Sequence, residues 1–126
     1  MQWIAVAVGG AFGAVLRFAL AQFAHAVLGR DFPWGTLTVN VVGSLLIGVL
    51  YATMVERGDL TPVLRLGLIT GLLGALTTFS TFSLETLALL ESGRWPAALV
   101  NVATSVCICL LVCWLGLRLG RSLMPA

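Results

Sequence analysis

The stretch GLLGALTTFSTFS, residues 71–83, is the most informative part of this sequence about its fold. It holds two glycines and then, at residues 77–83, five hydroxyl residues and two phenylalanines. Serine and threonine side chains offer the backbone hydrogen bonds that compete with those of a helix. The stretch therefore predicts that the apolar segment around it is a helix interrupted near its middle.

That segment, residues 62–90, is one of four long apolar segments; the others are residues 3–28, 34–55 and 95–119. Each is near the roughly 20 residues that cross the hydrocarbon layer of a membrane. Hydrophobic residues make up 60% of the chain and charged residues 10%, whereas a soluble domain carries about 25% charged residues. The sequence predicts an all-α integral membrane protein in which residues 1–126 form one domain of four transmembrane helices.

The position of the interruption points to function. A broken helix at membrane depth is tolerated only where it is buried in protein or lines a water-filled cavity. Polar side chains inside a membrane are also costly, so they mark functional sites by default. We therefore expect the functional centre at residues 77–83.

Several classes of function are excluded by the polar residues. The net charge of +2 comes from seven scattered arginines and no lysine, which predicts no nucleic-acid partner. The single histidine, His25, is interpreted as interfacial and incidental. The three cysteines, Cys107, Cys109 and Cys113, fit helix packing better than a metal site. Without paired carboxylates the chain has no set of catalytic groups, so it is not predicted to be an enzyme.

The arginines give little preference for one orientation in the membrane. The connections between segments are short, so neighbouring helices are expected to be antiparallel. Four arginines then lie on one side and three on the other, which barely biases insertion. The two groups are Arg57, Arg65, Arg118 and Arg121, and Arg17, Arg30 and Arg94. A chain that inserts both ways round can form an antiparallel homodimer, and its many small helix residues suit close packing within or between chains.

Phe79 and Phe82 lie three residues apart and share one face of a helix. The edge of a phenyl ring carries partial positive charge, so two ring edges can stabilise an anion without a formal charge. The neighbouring hydroxyl groups are donors that can replace the hydration of an anion. Such a weak lining with several contact points suits ion conduction.

Each of the other polar residues inside the apolar segments is open to two interpretations of its role. The amide of Asn40 can bind an anion or bridge two helices, and Asn101 and Ser105 can line a pore or bridge. Arg17 and Glu85 are the charged residues that lie well inside segments, and each needs a counter-charge, a helix end or water. Arg17 is interpreted as a structural anchor at the mouth of a cavity, with attraction of ions as the second possibility.

Three stretches, taken in order, resemble the signatures of the Fluc/CrcB family of fluoride channels. They are GGAFGAVLR at residues 9–17, GTLTVN within residues 35–40, and GALTTFSTFSLE at residues 74–85. The resemblance implies a dual-topology antiparallel homodimer with two narrow pores in the bacterial plasma (inner) membrane. Its partners are a second copy of the chain, the fluoride ion and the lipid bilayer, and its activity is the expulsion of toxic fluoride from the cytoplasm.

The resemblance also implies roles for particular residues. Phe79 and Phe82 would be the paired rings that line each pore, and Asn40 would be the amide near the ion path. Ser80 and Thr81 would contribute polar groups nearby.

A structural sodium ion is part of the same resemblance. The broken third helices of the two chains would cross at the dimer centre, where backbone carbonyls hold the ion. Those carbonyls correspond to Gly74 and Thr77 of this sequence, and unwound carbonyls in broken helices are known cation ligands.

The fourth segment departs from the family pattern. Family members often carry Gly-Ser in this helix and a threonine four residues after that serine, and this chain has Ile108, Cys109 and Cys113 at those positions. In the family these side chains form a row of polar groups, the polar track, along the fourth helix. A thiol is a weak hydrogen-bond donor, so the polar track is weakened in this chain unless Thr104 or Ser105 compensates.

Two other classes compete with a channel. A small multidrug-type, proton-coupled exporter also has four helices, but it needs an acidic residue in its substrate chamber, typically on the first helix. Residues 3–28 contain none, and Glu85 would have to take that role. A non-transporting assembly subunit would explain the small residues but not the cluster of hydroxyl and phenyl groups.

Overall fold

The structure, a computed structural model, describes residues 1–56 and 60–123. Arg57, one of the arginines expected on the side of the chain termini, lies outside the described residues. The described chain is helical, and four segments are long and apolar enough to cross a membrane. We number its helices α1 (Gln2–Leu28), α2 (Trp34–Val55), α3 (residues 62–76), α4 (Phe79–Glu91) and α5 (Trp95–Ser122).

The helix ends follow from local sequence. α1 ends at Leu28, and the next residue, Gly29, has a φ of 86°, a conformation that glycine adopts without strain. α3 begins after Thr61, whose side chain accepts a hydrogen bond from the backbone N–H of Leu64 at 3.4 Å. α5 has Pro96 in its first turn. It runs to Ser122 rather than to the predicted residue 119, because long arginine side chains near a helix end can reach water.

Two helix pairs make the most extensive contacts, α1 with α3 and α2 with α5. Both pairs approach through glycine. A Cβ atom on Gly13 would collide with the carbonyl oxygen of Leu72, and one on Gly116 would collide with that of Leu45. The small residues of the sequence therefore serve packing within one chain at these positions. Two stretches, Tyr51–Val55 in α2 and Leu66–Leu73 in α3, are wound as π-helix, which the sequence did not predict.

The third apolar segment is interrupted where the hydroxyl-rich run begins. α3 ends at Leu76 and α4 begins at Phe79. Thr77 has φ −84° and ψ 157°, and Thr78 has φ −152° and ψ 117°. Both residues are extended, so the chain leaves the helix for two residues at the point that the sequence indicated.

Candidate functional site

Asn40 of α2 holds the interrupted backbone. The N–H of Thr78 donates to Asn40 Oδ1 at 2.8 Å, and Asn40 Nδ2 donates to the carbonyl oxygen of Thr78 at 3.1 Å. One side chain therefore satisfies both backbone groups of a buried residue. The structure shows the bridging role that the sequence left open for Asn40, and the second N–H of its amide is not used in this pair of bonds.

Thr78 also starts the next helix. Its hydroxyl oxygen accepts a hydrogen bond from the N–H of Thr81 at 3.2 Å, which is a helix N-cap. The same hydroxyl lies 2.9 Å from Thr81 Oγ1 and 3.3 Å from Ser80 Oγ. The hydroxyl groups of Ser80 and Thr81, expected near an ion path, thus belong to the network that begins α4.

The interruption leaves several backbone carbonyls without their helical donors, those of Gly74 and Thr77 among them. In a continuous helix the carbonyl of Gly74 would accept from the N–H of Thr78, and that of Thr77 from the N–H of Thr81. These two N–H groups donate to Asn40 and to Thr78 Oγ1 instead. The carbonyls of Gly74 and Thr77 are therefore available to another partner.

A groove of about 510 Å³ opens beside the interruption, and we call it the central groove. Its walls come from α2, α3, α4 and α5 and are mostly apolar. The predicted residues that line it are Asn40, Gly74, Thr77, Phe79, Phe82 and Ser105. No charged side chain of the described residues lines it.

The two phenyl rings form a pair on the wall of the central groove. The ring centroids of Phe79 and Phe82 are 5.3 Å apart, and the ring planes are inclined by 45°. Phe82 is partly buried, whereas 78% of Phe79 is exposed on the single chain. In a single chain, therefore, the edges of these rings line an open groove and are not covered on the outer side.

A buried chain of hydrogen bonds connects α4 with α5. Asn101, which is 1% exposed, donates from Nδ2 to Thr86 Oγ1 at 2.9 Å, and Thr86 donates to the carbonyl oxygen of Phe82 at 2.7 Å. Ser105 donates to Asn101 Oδ1 at 3.5 Å. Asn101 is thus a bridge behind the groove wall, and Ser105, like Phe82, also lines the groove.

Arg17 and Glu85 are not brought to the central groove. Arg17 is partly buried and makes no hydrogen bond or salt bridge within the described residues. Glu85 lines a second cavity of about 260 Å³ at one end of the helices. Its Oε2 atom is buried and has no hydrogen-bond partner among the described residues. Of the three partners expected for these charges, a counter-charge, a helix end or water, the described residues supply a counter-charge to neither.

Ser44 was missed as a site residue. It lies one turn after Asn40 and lines the central groove. The signal was present in the spacing, because residues four apart share a helix face. Cys109, which the sequence analysis placed at a position of the family's polar track, lies one turn after Ser105 and also lines the groove.

Comparison with known proteins gives consistent matches over nearly the whole chain. The family described as "CrcB-like protein, Camphor Resistance (CrcB)" matches residues 4–117. A protein of Magnetococcus marinus named "Fluoride-specific ion channel FluC" is 50% identical over 96% of this chain and 98% of its own length. Proteins of the same name from Geobacter metallireducens and Stutzerimonas stutzeri are 49% and 54% identical over 95% and 93% of this chain, and over 97% and 94% of their own lengths.

Proposed function

The chain belongs to the CrcB-like protein family, and from this premise we propose that it is a fluoride-selective channel. Two chains in antiparallel orientation form a homodimer with two pores in the bacterial plasma membrane. The channel lets fluoride leave the cytoplasm. The observation that carries the proposal is the central groove, which joins the paired rings of Phe79 and Phe82 to the amide of Asn40 and to the interrupted backbone.

The lining of the central groove suits a small anion. Ring edges and weak donors attract an anion without a fixed positive charge that would retain it. Fluoride is the smallest halide and accepts strong hydrogen bonds. The free N–H of Asn40 can replace part of its hydration, and so can the hydroxyl of Ser105 once it turns away from Asn101 Oδ1. A larger halide loses more contacts in a narrow space between rings.

A second copy of the chain is needed to close this path. The central groove and most of Phe79 are open on the single chain. Interrupted backbone at membrane depth is stable only in contact with protein or with a water-filled cavity. A partner chain laid over the groove would shield the interruption and turn the open ring pair into the wall of a pore. The near balance of arginines at the two ends supports an antiparallel arrangement.

A structural sodium ion fits the carbonyls that the interruption frees. A sodium ion is a hard cation that binds backbone carbonyl oxygens in broken helices. Gly74 and Thr77 would hold it, since the N–H groups that would otherwise occupy their carbonyls donate elsewhere. The bound cation would offset the partial negative charge of these oxygens where two chains meet.

The exporter alternative is not favoured by the lining. A proton-coupled exporter needs an acidic group in its substrate chamber. No acidic side chain among the described residues lines the central groove, and Glu85 lines the separate cavity at the end of the helices.

The test is fluoride release from liposomes that contain the purified protein, followed with a fluoride electrode. We expect rapid release by the wild type and a loss of at least about tenfold in Phe79→Ile and Phe82→Ile, because isoleucine has no ring edge. Phe18→Ile is the matched control, since Phe18 is 67% exposed on α1 and lies outside the groove.

Equal release by all four proteins would contradict the assigned path. If fluoride stayed inside while a proton gradient drove uptake of an organic cation, the exporter reading would replace the channel.

A further inference from the structure

The two extended residues of the interruption are held against one face of α2. Asn40 and Gly43 lie three residues apart on that helix, so they share a face, and both line the central groove. Asn40 binds the backbone of Thr78. Gly43 is buried and lies against the side chain of Thr77. Each residue of the interruption is therefore held by a different residue of α2.

Gly43 leaves a notch in α2 that the methyl group of Thr77 fills. A Cβ atom on Gly43 would collide with Thr77 Cγ2, and it would lie 3.7 Å from Thr77 Cβ and 3.8 Å from Leu76 Cδ2. The methyl group ends a short, branched side chain, so it cannot move aside without a change of χ1 or of the backbone. The absence of a side chain at position 43 is thus what lets Thr77 approach α2.

The hydroxyl group of Thr77 is turned back toward α3. Oγ1 donates to the carbonyl oxygen of Leu73 at 3.0 Å, and the same oxygen accepts a hydrogen bond from the N–H of Thr77 at 3.1 Å. Because the hydroxyl and the methyl group are both engaged, the rotamer of Thr77 is fixed. Leu73 would keep the N–H as a partner without the hydroxyl, whereas nothing else fills the notch at Gly43.

The direction of the Thr77 carbonyl follows from the same contacts. The N–H of Thr78 donates to Asn40 Oδ1 at 2.8 Å, and the described residues contain no cis peptide bond. In a planar trans peptide the carbonyl and the following N–H point in opposite directions, so the carbonyl of Thr77 points away from Asn40. The notch at Thr77 and the hydrogen bond at Thr78 hold this peptide at both ends.

We propose that Gly43 is a positioning residue of the cation site and that it acts through the methyl group of Thr77. The inference rests on the sodium ion of the proposed function. It adds that the side chain of Thr77 contributes a methyl anchor and not a hydroxyl ligand. A larger side chain at position 43 pushes Thr77 out of the notch and moves its carbonyl. Ligand distances in a metal site hold to within about 0.2 Å, so the affinity for sodium reports this movement.

The test is thermal unfolding of the purified protein in detergent at a series of sodium concentrations. N-methyl-D-glucamine, a much larger cation, replaces sodium so that the ionic strength stays constant. A ligand of the folded state raises the melting temperature to an extent set by its dissociation constant. The series therefore gives an apparent dissociation constant for sodium in each variant.

Gly43→Ala should raise the sodium dissociation constant by at least about fivefold, because the added methyl group overpacks the notch. Alanine otherwise favours a helix over glycine, so helix propensity does not explain such a loss. Gly10→Ala serves as the control and should leave the constant unchanged. A Cβ atom on Gly10 would meet no atom nearer than the carbonyl oxygen of Gly71, at 3.9 Å.

Removal of the Thr77 methyl group should rescue the larger side chain. In Gly43→Ala/Thr77→Ser the alanine methyl group takes the space of the threonine methyl group, which conserves volume. We expect the sodium dissociation constant of this double variant to lie within about twofold of the wild-type value. Independent effects of the two changes would add instead of cancelling.

Two single variants test the methyl group even if Gly43→Ala does not fold. Thr77→Val keeps the methyl group and loses the hydroxyl, so it should keep the wild-type sodium dissociation constant. Thr77→Ser keeps the hydroxyl and leaves the notch empty, so it should raise the constant by about two- to fivefold.

Three results would overturn the proposal: an unchanged sodium dissociation constant in Gly43→Ala, a double variant that binds sodium no better than Gly43→Ala, or weaker binding in Thr77→Val than in Thr77→Ser. A wild-type melting temperature that does not respond to sodium would remove the sodium ion from the proposed function, and this inference with it. Fluoride release from liposomes would still report separately whether the chain is a channel.

Discussion

Asn40 bonds to both backbone groups of Thr78, so its amide replaces the partners that a continuous helix would supply. Leucine at position 40 has a similar size, but it would leave the N–H and the carbonyl oxygen of Thr78 buried without hydrogen-bond partners. An unsatisfied buried polar group costs about 1–3 kcal/mol. We expect Asn40→Leu to lower the free energy of unfolding by about 2–5 kcal/mol, measured by equilibrium unfolding in mixed micelles.

A threonine of the same helix provides the control. Thr53 donates to the carbonyl oxygen of Val49 within α2, and its loss orphans no buried N–H. Thr53→Val should lower the free energy of unfolding by less than about 1 kcal/mol. Similar costs for Asn40→Leu and Thr53→Val would show that the bonds to Thr78 do not hold the interruption.

The candidate site residues could be found from residue chemistry, but their partners could not. Hydroxyl groups and paired phenylalanines in an apolar segment indicated the site. The bond between Asn40 and Thr78 joins positions 38 residues apart, so only the packing of α2 against the interruption reveals it. For the same reason the sequence left open whether Asn40 bridges helices, and it gave no reason to place Glu85 in a cavity of its own.

The contact between α1 and α3 depends on one face of α1. A Cβ atom on Gly13 would collide with the carbonyl oxygen of Leu72 and lie 3.0 Å from the Cβ of Ala75. A Cβ atom on Gly10 would meet nothing nearer than the carbonyl oxygen of Gly71, at 3.9 Å. We expect Gly13→Ala to cost about 1–3 kcal/mol of stability through overpacking.

Gly10→Ala is the matched control, because alanine favours a helix by up to about 1 kcal/mol over glycine. It should leave the melting temperature in detergent unchanged or slightly raised, whereas Gly13→Ala should lower it. Equal changes of the melting temperature in the two variants would mean that α1 and α3 do not approach each other through the Gly13 face of α1.

The ends of α2 and α5 are joined by a bidentate ion pair. Arg121 Nε donates to Glu56 Oε2 at 3.1 Å and Nη2 donates to Oε1 at 2.6 Å. These hydrogen bonds hold the pKa of Glu56 below its ordinary value, against the opposing effect of desolvation, and the attraction of the guanidinium charge adds a smaller lowering. A lowered folded-state pKa stabilises the fold above the unfolded-state pKa, and this contribution is lost as pH falls through the folded value.

The melting temperature should therefore fall between about pH 6 and pH 3 by slightly more in the wild type than in Arg121→Gln. The difference is small because both groups are exposed to water. A variant that loses as much stability on acidification as the wild type would show that the pair does not contribute.

The helices themselves were predictable because hydrocarbon thickness fixes how long an apolar segment must be. The interruption was predictable because serine and threonine compete for backbone hydrogen bonds. The π-helical turns of α2 and α3 were not predicted, since π-helix is rare and the apolar pattern of these segments does not distinguish it from α-helix.

At the scale of the whole molecule, the proposed homodimer requires chains in both orientations. The test is a variant in which the three cysteines are replaced by alanine and Gln2→Cys adds one thiol at the start of α1. If insertion is unbiased, a membrane-impermeant thiol label should react with about half of the chains in intact cells. Labelling of all chains or of none would contradict dual topology.

Selectivity for fluoride is tested by following the simultaneous release of fluoride and chloride from the same protein-containing liposomes, with one electrode for each ion. We predict that fluoride leaves rapidly while chloride stays inside, because a narrow path between phenyl rings and weak donors favours the smaller anion. Release of both ions at similar rates, or of neither, would contradict it.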